Sequence, residues 1–299
     1  MHEEPVLVAQ AFAIQFPLLA MIASGFFFGR RLVMDESTLV TVIADWFMPL
    51  LIIQAIRTSR FEVRDLGDLV LAATIITAVM TVVALLFTRL TRSKASEVMM
   101  PIMFMNSGFL GIPLLFLWGG DAAQSTAIIF DQAVGIYMIA GGLVICTGRL
   151  SVSGVARLAR SPLLLAVVAG FLLRLVPGDL PRILSSTLEF SAGVASPLAA
   201  FTVGVTIGHN RPEWSPRLAA GIATRFIMGA FSGWIAATVL GMTGRTAAAV
   251  ILLAALPSAV FSYVLPARYG VDSSFARSMV ALSTAFGLIV IPLIIMILG

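Results

Sequence analysis

The chain is poor in the side chains on which most enzymes rely. In 299 residues it has one cysteine, Cys146, two histidines, His2 and His209, and one lysine, Lys94, and charged residues make up only 11%. A single cysteine excludes an intrachain disulfide, and with two histidines it leaves too few ligands for a zinc site. Ser–His catalysis needs a histidine beside the serine, yet His2 stands at the amino end and His209 between two apolar runs. Paired-carboxylate chemistry needs two facing acids, and Asp131, inside its apolar run, has no motif-matched partner. A membrane-embedded enzyme therefore survives only as a rival reading, beside a receptor or purely structural protein. Cys146, at the end of an apolar run, reads as a small buried hydrophobe.

Apolar residues, by contrast, make up 59% of the chain, and a mean hydropathy of +1.03 exceeds what a soluble domain can hide from water. A spanning helix needs about 20 apolar residues. Windows of that kind fall at 6–29, 37–57, 66–89, 98–118, 122–147, 162–177, 183–208, 216–240, 246–267 and 273–298. The expectation is an all-α membrane protein of ten transmembrane helices, the sixth of them short, with no loop long enough to fold as a soluble domain. The first window lacks a basic n-region and is too long for the apolar core of a signal peptide, so it reads as a retained span. A pI near 10.0 does not point to nucleic acid, because the basic residues are scattered over short loops, where membrane topology explains them.

Twelve basic residues follow odd-numbered spans (Arg30, Arg31, Arg89, Arg92, Lys94, Arg149, Arg157, Arg160, Arg211, Arg217, Arg268 and Arg277) and six follow even-numbered ones (Arg57, Arg60, Arg64, Arg174, Arg182 and Arg245). The positive-inside rule then places the odd loops in the cytoplasm and both termini outside. The second span carries Met48-Pro49-Leu50 and the seventh Ser196-Pro197-Leu198, 148 residues further on. The same offset carries Pro113 of the fourth span to position 261, four residues past Pro257 of the ninth. Five spans per half is an odd number, so the second copy enters the membrane upside down, giving two inverted five-helix repeats at 1–150 and 151–299. Coincidence among common Pro-Leu pairs is the competing reading.

The fourth span contains Asn106-Ser107-Gly108-Phe109-Leu110-Gly111-Ile112-Pro113, and the ninth contains Leu256-Pro257-Ser258-Ala259. A proline has no N–H and displaces the carbonyl four residues earlier, so Pro113 should free the C=O of Phe109 and Pro257 that of Leu253. Gly108 and Gly111 let the backbone open. In hydrocarbon such a break survives only where protein or a polar cavity satisfies it. Two half-helix N-termini aimed at one crossing suit an anion, freed carbonyls suit a cation, and Asn106 and Ser258 add side-chain donors and acceptors. Against this stands the plain kink, since proline and glycine are frequent in membrane helices.

The pattern from Asn106 to Leu115 resembles the fourth helix of the auxin efflux carrier family, which includes plant PIN-type carriers and bacterial malonate-carrier relatives. Met48-Pro49-Leu50-Leu51 resembles that family's second helix, Arg160-Ser161-Pro162 the start of its sixth, Arg225-Phe226 its eighth, and Ala255-Leu256-Pro257 through Ala267-Arg268-Tyr269-Gly270 its ninth, with Pro292 near the end. The resemblance implies a scaffold of helices 1, 2, 6 and 7 and a transport domain of helices 3–5 and 8–10. That domain would move as an elevator and carry a small organic anion across the bacterial inner membrane at the crossing of helices 4 and 9, often in a homodimer. The residues so implicated are Asn106, Ser107, Gly108, Gly111, Pro113, Ser161, Arg225, Pro257 and Ser258. No cofactor is implied. Plant carriers have an asparagine where Ser161 stands, a glutamine at Ser258 and an apolar residue at Asp131, so auxin itself is not the expected solute. The bile acid:sodium symporter family, with a similar architecture, is the runner-up.

Asp131 with Gln132 reads either as a proton or sodium coupling site, as a structural partner for Arg225, or as a silent protonated carboxyl. Arg225 reads either as counter-charge for an anion or as a cation snorkelling to headgroups. Asp45 and Glu189 precede Pro49 and Pro197 and fit structural or gating roles better than solute contact. The spacing of Gly25/Gly29, Gly204/Gly208 and Gly229/Gly233 permits close helix approach, read here as packing inside the bundle rather than as a dimer seam.

Overall fold

A computed structural model describes residues 4–58, 63–148, 160–176, 178, 180–209 and 212–298. His2, the loop residues Arg60, Arg149, Arg157 and Arg211, and the boundary drawn between 150 and 151 lie outside the described residues. The helices are α1 (Glu4–Arg31), α2 (Glu36–Thr58), α3 (Val63–Thr91), α4 (Ala95–Met103), α5 (Ser107–Thr147), α6 (Pro162–Leu175), α7 (Arg182–His209), α8 (Pro216–Val239), α9 (Gly244–Ala254), α10 (Phe261–Arg268) and α11 (Ser274–Leu298). Among the described residues there is no β-strand, only one isolated bridge. Six helices among the described residues are long and apolar enough to cross a membrane: α2, Asp65–Thr91 of α3, α5, α7, α8 and α11. Two shorter apolar helices are α6 and α9.

At about 1.5 Å per residue, a continuous α5 would be roughly twice the thickness of a bilayer core. It is not continuous. Gly120, at φ 67° and ψ −158°, takes a conformation open to glycine alone and kinks the chain between two helical segments. Local chemistry also sets the helix starts. Ser161 and Ser215 accept the N–H groups of Leu164 and Leu218 at 3.3 and 3.2 Å, each just ahead of a proline in the first turn, where a missing N–H leaves no bond unmade. In α2 the segment Ile43–Phe47 widens into a π-turn before Pro49, a common accommodation of a residue that cannot donate to the preceding turn.

The glycine pairs do pack the bundle. A Cβ on Gly25 would lie 1.9 Å from Phe201 O, and one on Gly204 2.0 Å from Ile22 O, so α1 and α7 touch backbone to backbone. Gly233 likewise brings α8 close to α9, with Ile251 Cα 2.8 Å from where its Cβ would stand. Without a hydrophobic drive between helices in lipid, such close approach is what dispersion needs to hold them together.

A crossing of two interrupted helices as the candidate site

Helix stops at Met103 and at Ala254, and resumes at Ser107 and Phe261. The two interruptions meet. Met105 and Ser258 form the antiparallel bridge, Asn106 N donates to Pro257 O at 2.8 Å, and Ala259 N donates to Phe104 O at 3.0 Å. The first interruption thus lies ahead of Pro113 rather than at it. Pro113 follows directly on a π-turn at Ser107–Gly111, which accommodates its absent N–H as the π-turn before Pro49 does. In the second, Leu253 O is taken by Leu256 N at 3.2 Å.

A helix leaves its last four carbonyls without intrahelical donors. At the end of α4 all four are satisfied across the crossing. Pro101 O accepts Ser258 Oγ at 2.6 Å, Ile102 O and Met103 O accept Arg225 Nη1 at 2.9 and 3.2 Å, and Phe104 O accepts Ala259 N. The same guanidinium turns to the other break, donating from Nε to Leu256 O at 3.2 Å and from Nη2 to Ala254 O. Arg225 and Ser258 are wholly buried. Among the described residues no ion pair joins Arg225 to Asp131, and its donors point at carbonyls, not at headgroups.

Where helix resumes, Asn106 acts as the cap: its Oδ1 accepts Phe109 N at 3.3 Å. Its Nδ2 is buried and has no hydrogen-bond partner among the described residues. Beside it Ser107 Oγ donates to Asp131 Oδ1 at 2.6 Å, and Gln132 Nε2 donates to Asp131 Oδ2 at 3.3 Å. Gly108 faces that carboxylate, which a Cβ would meet at 3.1 Å, and a Cβ on Gly111 would lie 2.7 Å from Leu253 Cδ2. Asn106, Ser107, Gly108, Gly111, Asp131, Gln132, Pro257, Ser258 and Arg225 are therefore gathered at the crossing. Ser161 is placed elsewhere, as the cap of α6.

A cavity of about 520 Å³ reaches Pro113 from one end of the molecule, between α1, α2 and α7 on one side and α5 on the other. Its walls include Gln54, Asp121, Gln124, Glu189 and Ser196, whose hydroxyl is another buried group without a hydrogen-bond partner among the described residues. Glu189 lines this cavity and Asp45 does not. At the other end Glu36, in the first turn of α2, accepts Thr206 Oγ1 of α7 at 2.5 Å and the Tyr263 hydroxyl of α10. Sequence reasoning missed this contact. Glu36 looks like an ordinary first-turn acid beside Asp35, and nothing local announces partners 170 and 227 residues away.

The family model described as "Membrane transport protein" matches residues 149–295, a stretch that holds Arg225, Pro257 and Ser258 but not the first interruption. An "Uncharacterized transporter" of Methanothermobacter thermautotrophicus is 26% identical over 283 residues, covering 87% of this chain and 88% of that protein.

Proposed function

Because the chain belongs to the membrane transport protein family, the auxin efflux carrier family, we propose that this transporter is a secondary carrier of a small organic anion that binds where the two interrupted helices cross. The observation that carries this is Asn106 Nδ2, a buried donor without a partner among the described residues, beside the resuming helix end whose Pro113, seven residues further on, lines the cavity. An unpaired buried donor costs about 1–3 kcal/mol, and a carboxylate oxygen would remove that cost.

The proposed architecture is ten helices in two inverted five-helix repeats, 1–150 and 151–299, with helices 1, 2, 6 and 7 as scaffold and the rest as transport domain. In that frame the cavity runs between the two units on the side of the even-numbered loops, ending near Thr58, Asp121 and Glu189, and the Glu36–Tyr263 contact bridges them on the other side. One open and one closed end fit a single stage of elevator-type alternating access. The basic-residue bias makes the open end external, with both termini outside and the cytoplasmic membrane as location. Asp131 with Gln132 is the proposed coupling site for a proton or sodium, and the scaffold is the proposed homodimer contact. Asp131, held by Ser107 at the break, is also what a sodium symporter of the bile acid type would require, so the assay includes a sodium arm.

The test is counterflow of labelled carboxylates in proteoliposomes, with and without sodium. Asn106→Asp keeps the cap on Phe109 but replaces the donor by an acceptor. It should leave folding intact and weaken uptake by about 10–100-fold, the range for a hydrogen bond to a charged group. Uptake by Asn106→Asp equal to that of the unaltered protein would place the solute elsewhere.

A further inference from the structure

We infer that Arg225 sets the charge preference of the crossing: by capping the carbonyl ends of both interrupted helices it leaves only their positive ends to face a solute. The inference rests on the crossing being the solute site. The C-terminal end of each helix carries about half a negative charge, and each N-terminal end the opposite. At this crossing the ends of α4 and α9 converge, and Ile102, Met103, Ala254 and Leu256 all turn their carbonyls to one guanidinium. A ring of freed carbonyls is the chemistry of a cation site. Here that ring is already filled by a side chain, and Ser258 and Ala259 N take the remaining two carbonyls of α4.

What is left for a solute is the other polarity: the first turn at Ser107 and Gly108, whose N–H groups lack intrahelical acceptors as at any helix start, and Asn106 Nδ2. The charge of Arg225 adds to this. Among the described residues no carboxylate pairs with it, and in a poorly screened interior a unit charge acts over many ångströms. Asp131 lies on the solute side, against Ser107. When a coupling cation neutralises that carboxylate, the fixed guanidinium leaves the crossing net positive, which ties anion binding to occupancy of the coupling site. Arg225 is thus a positioning and selectivity residue that never touches the solute. Its fork matters as well as its charge, since a guanidinium offers five donors in a rigid plane and an ammonium three. Gly229 makes room for it: a Cβ there would lie 2.4 Å from Nη2.

The test compares the unaltered protein with Arg225→Lys, Arg225→Gln and Arg225→Met in proteoliposomes, using radiolabelled acetate, malonate, benzoate and sodium as probes. Thermal unfolding is followed in parallel. A second arm needs no substrate: Pro113→Cys, in a Cys146→Ser background, is modified from the cavity by anionic and by cationic methanethiosulfonates. Arg225→Lys should raise KM about tenfold with kcat within a factor of about two, a loss of one decade in affinity, and should keep the preference for the anionic reagent. The neutral variants should lose carboxylate uptake, admit sodium and reverse the reagent preference. An unchanged preference in either neutral variant overturns the inference, as does a kcat loss in Arg225→Lys with KM untouched, the mark of a mere strut. Should neither neutral variant fold, Arg225→Lys decides, and loss of its anionic preference counts against the inference. If the unaltered protein moves none of the three carboxylates while the reagent preference still reverses in Arg225→Gln, the carboxylate reading fails and the role of Arg225 stands.

Discussion

Gly229 is the space into which Arg225 fits. A Cβ at residue 229 would come within 2.4 Å of the Arg225 guanidinium and 2.4 Å of Ala254 O, the carbonyl that the guanidinium caps. One helical turn separates the two residues on α8, so the long side chain lies along its own helix and passes over the glycine to reach both breaks.

Gly229→Ala should therefore damage the protein out of proportion to one methyl group. Overpacking of this kind costs about 1–3 kcal/mol, and here it also pushes a donor off a carbonyl. Gly67→Ala is the control, because a Cβ there meets nothing within 4 Å, and in a helix the change should be neutral or slightly stabilising. Thermal unfolding in detergent checks both. Equal melting temperatures for the two variants would show that the gap at 229 is not needed.

Asp131→Asn keeps an acceptor for the Ser107 hydroxyl and the size of the side chain, but removes the charge. Counterflow of solute should persist, whereas uptake driven by an imposed sodium or proton gradient should vanish. Uptake still powered by a gradient in the variant would assign coupling to another group.

Tyr263→Phe removes the hydroxyl that joins α10 to Glu36 and leaves the Glu36–Thr206 bond in place. A bond to a charged group contributes about 1.5–3 kcal/mol, so the closed end should open more often. A cysteine on that face should react with impermeant thiol reagents roughly tenfold faster. No change in reactivity would mean that the contact does not hold the two units together.

Gly204→Leu places a side chain where a Cβ alone would stand 2.0 Å from Ile22 O. Helices α1 and α7 cannot then touch, and the expected result is loss of folded protein in a size-exclusion profile. Gly193→Leu, on the same helix with open space around it, should elute as the unaltered protein does.

Much of this was legible in the residues. Apolar content places the chain in lipid, Gly108, Gly111, Pro113 and Pro257 mark the broken segments, and Gly25 and Gly204 signal close packing, because each of these is a local rule about what a backbone can do in a medium without water. The position of the first break was off by a few residues. Proline cannot continue a hydrogen-bond ladder, yet a π-turn ahead of it accommodates the missing donor, and only the structure shows that Pro113 follows one. Arg225 gave the least sign of its role. From the residues it read as a cation for a solute or for headgroups, since its carbonyl partners lie between 29 and 123 positions away and carry no side-chain signature.

The amino-acid order alone determined the solvent, the helical class and which spans must fail as continuous helices, since hydropathy and backbone chemistry are properties of short segments. The tertiary structure decided which free groups meet: that the end of α4 is closed by Ser258 and Arg225, that Asp131 answers to Ser107, and that Asn106 keeps a donor without a partner among the described residues. Those pairings depend on how distant helices lie against one another, and a carbonyl in one helix has no means of marking, in the sequence, the side chain that will reach it.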